Sequence, residues 1–146
     1  MVNASYAGRT YPPTPAYEVG REKIREFAQA TGMHPAHVDP QAARALGYPD
    51  VIAPPTFAVI IAQLCDRQLV LDPDAGIDYI RVVHGEQTFR HHRPIVAGDR
   101  LVAVLHVDGV RAAGGHAMVT TRSEIATEDG EPVCTASSTI VVRGDS

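Results

Sequence analysis

The segment Thr56-Phe57-Ala58-Val59-Ile60-Ile61-Ala62-Gln63-Leu64-Cys65 is apolar nearly all round. A surface helix keeps a polar face, whereas a helix without one is buried on most sides and must be wrapped by other parts of the chain. The wrapper lies downstream. After turn signals at residues 72–76, five runs read as strands, at 79–83, 86–92, 101–110, 116–125 and 133–143. Their separators, Ala97-Gly98-Asp99, Gly114-Gly115 and Glu128-Asp129-Gly130, are hairpin chemistry. Strands that follow a buried helix imply an α+β fold in which an antiparallel sheet curls around that helix.

Upstream, Ile24, Phe27 and Ala28 fall at helical spacing within residues 21–30, and Gly32 is placed to stop that helix. Asp39-Pro40 is an N-cap followed by proline at the first helical position, and Gly47 ends a short helix over 41–46. In the third strand Leu101, Ala103, Leu105 and Val107 share one side, while Val102, Val104 and His106 make the other side only partly polar. Such a sheet suits a pairing interface. One sheet around one helix also leaves two strand edges open, which points to a dimer.

Composition narrows the class. A chain of 146 residues that is 45% hydrophobic suits one well-buried core, so residues 1–146 read as a single domain. Charged residues make up 21% and the net charge is -4, which leaves no basic field for nucleic acid. No apolar run approaches bilayer length and no secretory pattern opens the chain, so neither membrane insertion nor secretion is expected. Cys65 and Cys134 lie in apolar surroundings and read as reduced thiols, consistent with the cytoplasm.

Residues 32–57 hold the candidate chemistry. His34 and His37 bracket Pro35, Asp39 follows, and Ile52-Ala53-Pro54-Pro55-Thr56-Phe57 introduces the buried helix. Together with His84-Gly85-Glu86-Gln87 and Arg93-Pro94-Ile95-Val96-Ala97-Gly98-Asp99, this ordered set resembles the MaoC-like dehydratases of the hot-dog superfamily. It is most similar to their N-terminal-domain branch, which includes the A-type subunit of mycobacterial (3R)-hydroxyacyl-carrier-protein dehydratase and uncharacterised actinobacterial relatives. The resemblance covers roughly residues 8–143.

The resemblance implies a hot-dog fold and reversible loss of water from a (3R)-hydroxyacyl thioester, with no cofactor. In catalytic relatives a histidine takes the α-proton, an aspartate handles the water, and a glycine N–H at the start of the central helix holds the enolate oxygen. Their pattern is Gly-Asp-x-Asn-Pro-x-His, with Ala-His-Gly further on. Here His37 takes the histidine's place and His34 the asparagine's. Only Met33 separates Gly32 from His34, so the aspartate has no counterpart, and Pro54-Pro55 stand where His-Gly would. Proline has no N–H to give an oxyanion.

His37 is therefore the candidate catalytic residue, with His34, Pro55, Thr56, His84 and Gly85 as candidate substrate-binding residues and no metal site. Each has a structural alternative. His37 and His34 can be hydrogen-bonding residues of a turn, Asp39 a helix cap, and Thr56 either a helix cap or a donor to an acyl carbonyl. His84-Gly85 either lets a thioester pass close to the sheet or marks a bulge. The functional expectation is a substrate-holding subunit that binds an acyl thioester of coenzyme A or acyl carrier protein. Its partner would be a catalytic hot-dog subunit, in a heterodimer, or a second copy, in a homodimer. The alternatives are an autonomous enoyl-thioester hydratase using His37 and, third, an acyl-thioester hydrolase, for which the first carboxylate on the central helix is Asp66. Arg90, Arg93 and Arg100 are candidates to meet the carrier's phosphate.

Overall fold

The computed structural model describes residues 1–145. In chain order the elements are β1 (Tyr17–Glu18), α1 (Arg21–Thr31), α2 (Pro35–Val38), α3 (Pro40–Ala45), α4 (Ala58–Val70), β2 (Val82–His91), β3 (Arg100–Ala113), β4 (His116–Thr127) and β5 (Pro132–Val142), with single 3₁₀ turns at Ala4–Tyr6 and Tyr79–Arg81. The strands form one antiparallel sheet in the order β1-β3-β4-β5-β2, curled against α4. This is the α+β hot-dog arrangement, and it follows from the strand pattern. Leu101, Ala103, Leu105 and Val107 of β3 are buried, as their alternation requires. The β3–β4 hairpin closes through Gly114 and Gly115, both at positive φ.

Helix α4 departs from the sequence reading in one respect. Phe57, Ile61, Cys65 and Leu69 recur every fourth residue and are buried against the sheet with Ala58 and Ala62. Gln63, Leu64 and Arg67 on the opposite side are exposed. The sheet therefore covers one side of α4, not most of it. The cap expectations hold: Asp39 accepts from the Gln41 N–H at the start of α3, and the Gly32 N–H closes α1 on the Ala28 carbonyl with φ +131. Thr56 does not cap α4 through its side chain.

Two strand expectations are corrected. Residues 79–83 and 86–92 are one strand, β2, preceded by the Tyr79–Arg81 turn and broken in register between His84 and Glu86. Gly85 is the extra residue of that bulge. A Cβ there would lie 3.4 Å from the Thr139 carbonyl oxygen and 3.5 Å from the Val141 side chain, so the bulge runs close against β5.

Among the described residues one sheet edge is open along its length, not two. Beyond β1, residues 8–14 run along β3, with N–H groups of Gly8, Tyr11 and Thr14 donating to the carbonyls of Val107, Leu105 and Ala103. The Asp72 carboxylate, just past α4, accepts from the Tyr6 and Tyr11 hydroxyls at 3.0 and 2.9 Å and fastens this segment. Burial, with Asp72 beside it, pushes the Tyr11 phenol up to about 12. On the far side β2 pairs only with β5 among the described residues. No helix among them is long and apolar enough to cross a membrane.

Candidate active site

Pro35 fixes the first turn of α2, and the His34 ring caps it by accepting from the Ala36 N–H through Nδ1 at 3.1 Å. One turn on, His37 Nδ1 lies 2.7 Å from the Ile52 carbonyl oxygen. A carbonyl only accepts, so Nδ1 carries the proton and Nε2 of the neutral ring keeps a free lone pair. The two rings stand 6.0 Å apart between centroids. Their Nδ1 atoms are engaged with backbone, and no group of three metal-ligating side chains converges among the described residues.

Residues 51–53 hang between α2 and the 95–97 loop. The Ile52 N–H donates to Ala36, Ala53 to Ile95, and Ala97 to Val51, at 2.7 to 3.0 Å. Asp99 tightens that loop by accepting from the Val96 N–H at 2.8 Å and from both terminal nitrogens of Arg93 at 2.9 and 3.0 Å. The Arg93–Asp99 motif is thus a clamp on the segment that starts α4. It also occupies Arg93, just as Arg100 is paired with Glu128, so two of the three arginines expected to meet a phosphate face carboxylates instead. Arg90 forms no ion pair among the described residues.

The carboxylates nearest in sequence to His37 are committed elsewhere. Asp39 caps α3. Asp50 takes a two-point contact from Arg21 at 2.9 and 2.7 Å, which holds its carboxyl below the ordinary range, and also accepts from the Val51 N–H. Among the described residues no carboxylate hydrogen-bonds or ion-pairs with His37.

Pro55 and Thr56 are exposed in the turn before α4, which closes with the Phe57 N–H on the Pro54 carbonyl at 2.9 Å. The Thr56 N–H donates to no protein acceptor among the described residues. His91, at the end of β2, meets the Pro55 carbonyl through Nε2 at 2.7 Å, so two histidines hold the two ends of residues 52–55. His91 went unrecognised in the sequence because the contact joins residues 36 apart. Its only local signal is strand parity, which the bulge at Gly85 resets.

His84 and Gly85 do not join this group. They lie at the other end of β2, roughly 20 Å from His91 along the strand. There His84 lines a cavity of about 430 Å³ between the second half of α4 and the sheet. Ile60, Leu69, Val82 and Ile140 form apolar walls, with Gln63, Asp66 and Thr121 among them. Burial pushes the Asp66 carboxyl up to about 6, with the Thr121 side chain pulling it partly back. Cys65 points into the core, its thiol pushed up to about 11 by burial, and is not a nucleophile. The structure thus brings His34, His37, Pro55 and Thr56 to one end of α4 and leaves His84 and Gly85 near its middle.

Comparison with known proteins places this chain in a dehydratase-region family. Residues 5–136 match the family described as FAS1-like, dehydratase domain region. A UPF0336 protein of Saccharopolyspora erythraea is 61% identical over 98% of this chain and 92% of its own length. Among solved structures, the C-terminally truncated HadBC (3R)-hydroxyacyl-ACP dehydratase complex from Mycobacterium tuberculosis contains a chain 36% identical to this one, with a TM-score of 0.83 over 93% of this chain and 96% of that one. A MaoC-like dehydratase is also 36% identical, with a TM-score of 0.88 over 96% of this chain and 43% of that one. The (R)-hydratase of A. caviae, at 19% identity and TM-score 0.68, shares the fold.

Proposed function

Because the chain belongs to the FAS1-like dehydratase-region family, whose fold is the hot-dog of the MaoC-like hydratases and dehydratases, we propose that it is the substrate-holding subunit of a two-part dehydratase. The partner would supply the aspartate, histidine and glycine. The substrate would be a (3R)-hydroxyacyl or trans-2-enoyl thioester. The observation that carries this reading is His37, oriented through Ile52 yet without a carboxylate partner, beside a turn whose Pro55 has no N–H. A base without its water-activating acid lacks the second proton handler that elimination needs.

Two further features support a partner. The β2 edge is open, and Leu64, Tyr79, Ile80 and Val83 around it are exposed apolar side chains. A similar chain occurs in the HadBC complex. The cavity under α4 is then the acyl-chain site, and its lining includes Val82 and His84 of β2, the edge at which the partner would join. Mixing this chain with a hot-dog subunit that carries the three catalytic parts should raise turnover of a (3R)-hydroxyacyl thioester above that of either protein alone. Absence of a complex on size-exclusion chromatography would overturn the proposal.

A second reading has its own support: the free Nε2 of His37 lies at the same end of α4 as the unused Thr56 N–H, a base and an oxyanion donor in outline. It requires hydration of crotonyl-coenzyme A by the lone protein. Turnover that survives His37→Ala would remove it.

A further inference from the structure

The cavity under α4 contains more polar groups than an alkyl chain needs. Asp66 reaches it from the helix and Thr121 from β4, and the two side chains stand side by side. Thr121 is 4% exposed. Its cross-strand neighbour Ser138 is 5% exposed, and the Ser138 hydroxyl is buried without a hydrogen-bond partner among the described residues. His84 faces in from β2, since Val82 and His84 stand opposite the inward residues Val142 and Ile140. Ile60, Leu69, Val82 and Ile140 flank Asp66 and Thr121, while His84 is exposed at the rim.

Burial of polar groups is unfavourable unless hydrogen bonds replace those lost to water. An unsubstituted alkyl chain filling this cavity would leave Asp66 and Thr121 only their contact with each other and offer neither a further partner. A hydroxylated chain restores the bonds. The hydroxyl suits Asp66 in either protonation state, because an ionised carboxyl accepts from it and a protonated one donates to it. Burial brings the Asp66 carboxyl to about 6, so both states are accessible near neutrality. Lys23 and Arg67 also line the cavity, which makes a cationic chain a poor match.

We propose that the cavity selects acyl thioesters whose chain carries a hydroxyl far beyond the reacting carbons, and that Asp66 and Thr121 hold that hydroxyl. The inference rests on the cavity being the acyl-chain site. It locates the hydroxyl beside Asp66, in the cavity that takes the distal part of the chain, past the 3-hydroxyl that the partner's catalytic residues would remove. Asp66 is a specificity-determining residue here and takes no part in the chemical step.

Titration calorimetry of the intact protein tests it, using dodecanoyl-coenzyme A and a set of dodecanoyl-coenzyme A esters hydroxylated singly along the distal half of the chain. At least one hydroxylated ester should bind about tenfold more tightly than the unsubstituted one, a difference of about 1.4 kcal/mol. Asp66→Leu should abolish that preference, and Asp66→Asn, which keeps hydrogen-bonding groups at the same place, should retain most of it. Thr121→Val should weaken it independently of any change at the helix. If all esters bind alike, or if Asp66→Leu keeps the preference, the selectivity is refuted while the acyl-chain site stands. If no ester binds, the acyl-chain site is refuted and the selectivity with it.

Discussion

His37 has a structural task whether or not it ever meets substrate. Its Nδ1 proton satisfies the Ile52 carbonyl, and Ile52 in turn is bridged to Val96, so the ring is one of the ties on the segment that starts α4. Removing it leaves a partly buried carbonyl short of a donor, which costs about 1 kcal/mol. His37→Ala should therefore lower the midpoint of thermal unfolding by about 3 °C, read by calorimetry. Asp66 sets a different dependence. Its carboxyl lies near 6 in the folded protein against an ordinary value near 4, so the folded state holds the proton more tightly than the unfolded one. Stability then falls as pH rises from about 4 to about 6 and is level outside that window, by on the order of 3 kcal/mol. Urea unfolding of Asp66→Asn should lack this component. Asp39 as a cap and Gly32 as a stop were readable from sequence because each acts on its own neighbours. His91 on Pro55 and Asp66 beside Thr121 were not, because each contact joins distant positions.

Among the elements, β2 shows why a strand can be misread as two. The alternation of side chains slips at Gly85, so the inward set is Val82 and His84 before the bulge and Gln87, Phe89 and His91 after it. A period-two pattern cannot absorb that step without an extra residue. Deleting Gly85 would turn one half of the strand over. Either His84 leaves the cavity or His91 leaves Pro55, and the protein loses several degrees of thermal stability together with acyl-ester binding. Full stability in the deletion variant would contradict the account. The reading of α4 was right as to helix and wrong as to its covering. Its composition does not tell which side the sheet leaves exposed.

At the scale of the molecule, the unpaired β2 edge and the exposed side of α4 form the surface at which the proposed partner would join. Leu64 is 42% exposed and belongs to that surface, so Leu64→Asp should leave stability within about 0.5 kcal/mol and abolish assembly. Sedimentation of the variant beside the parent protein checks both halves of the statement. The antiparallel sheet and the helix it covers were legible from hydrophobic period alone. The covered β3 edge was not, because residues 8–14 carry prolines and little strand signal and are held by three N–H bonds to β3 and by Asp72.

That covered edge fixes the arithmetic of growth. A sheet with two sticky sides behaves as a bifunctional monomer, and each addition leaves a fresh site for the next, as in a lengthening polymer. With its own N-terminal segment laid over residues 103–107 of β3, this chain would be monofunctional in the proposed assembly: joining once through β2 would consume its valence, and growth would stop at a pair.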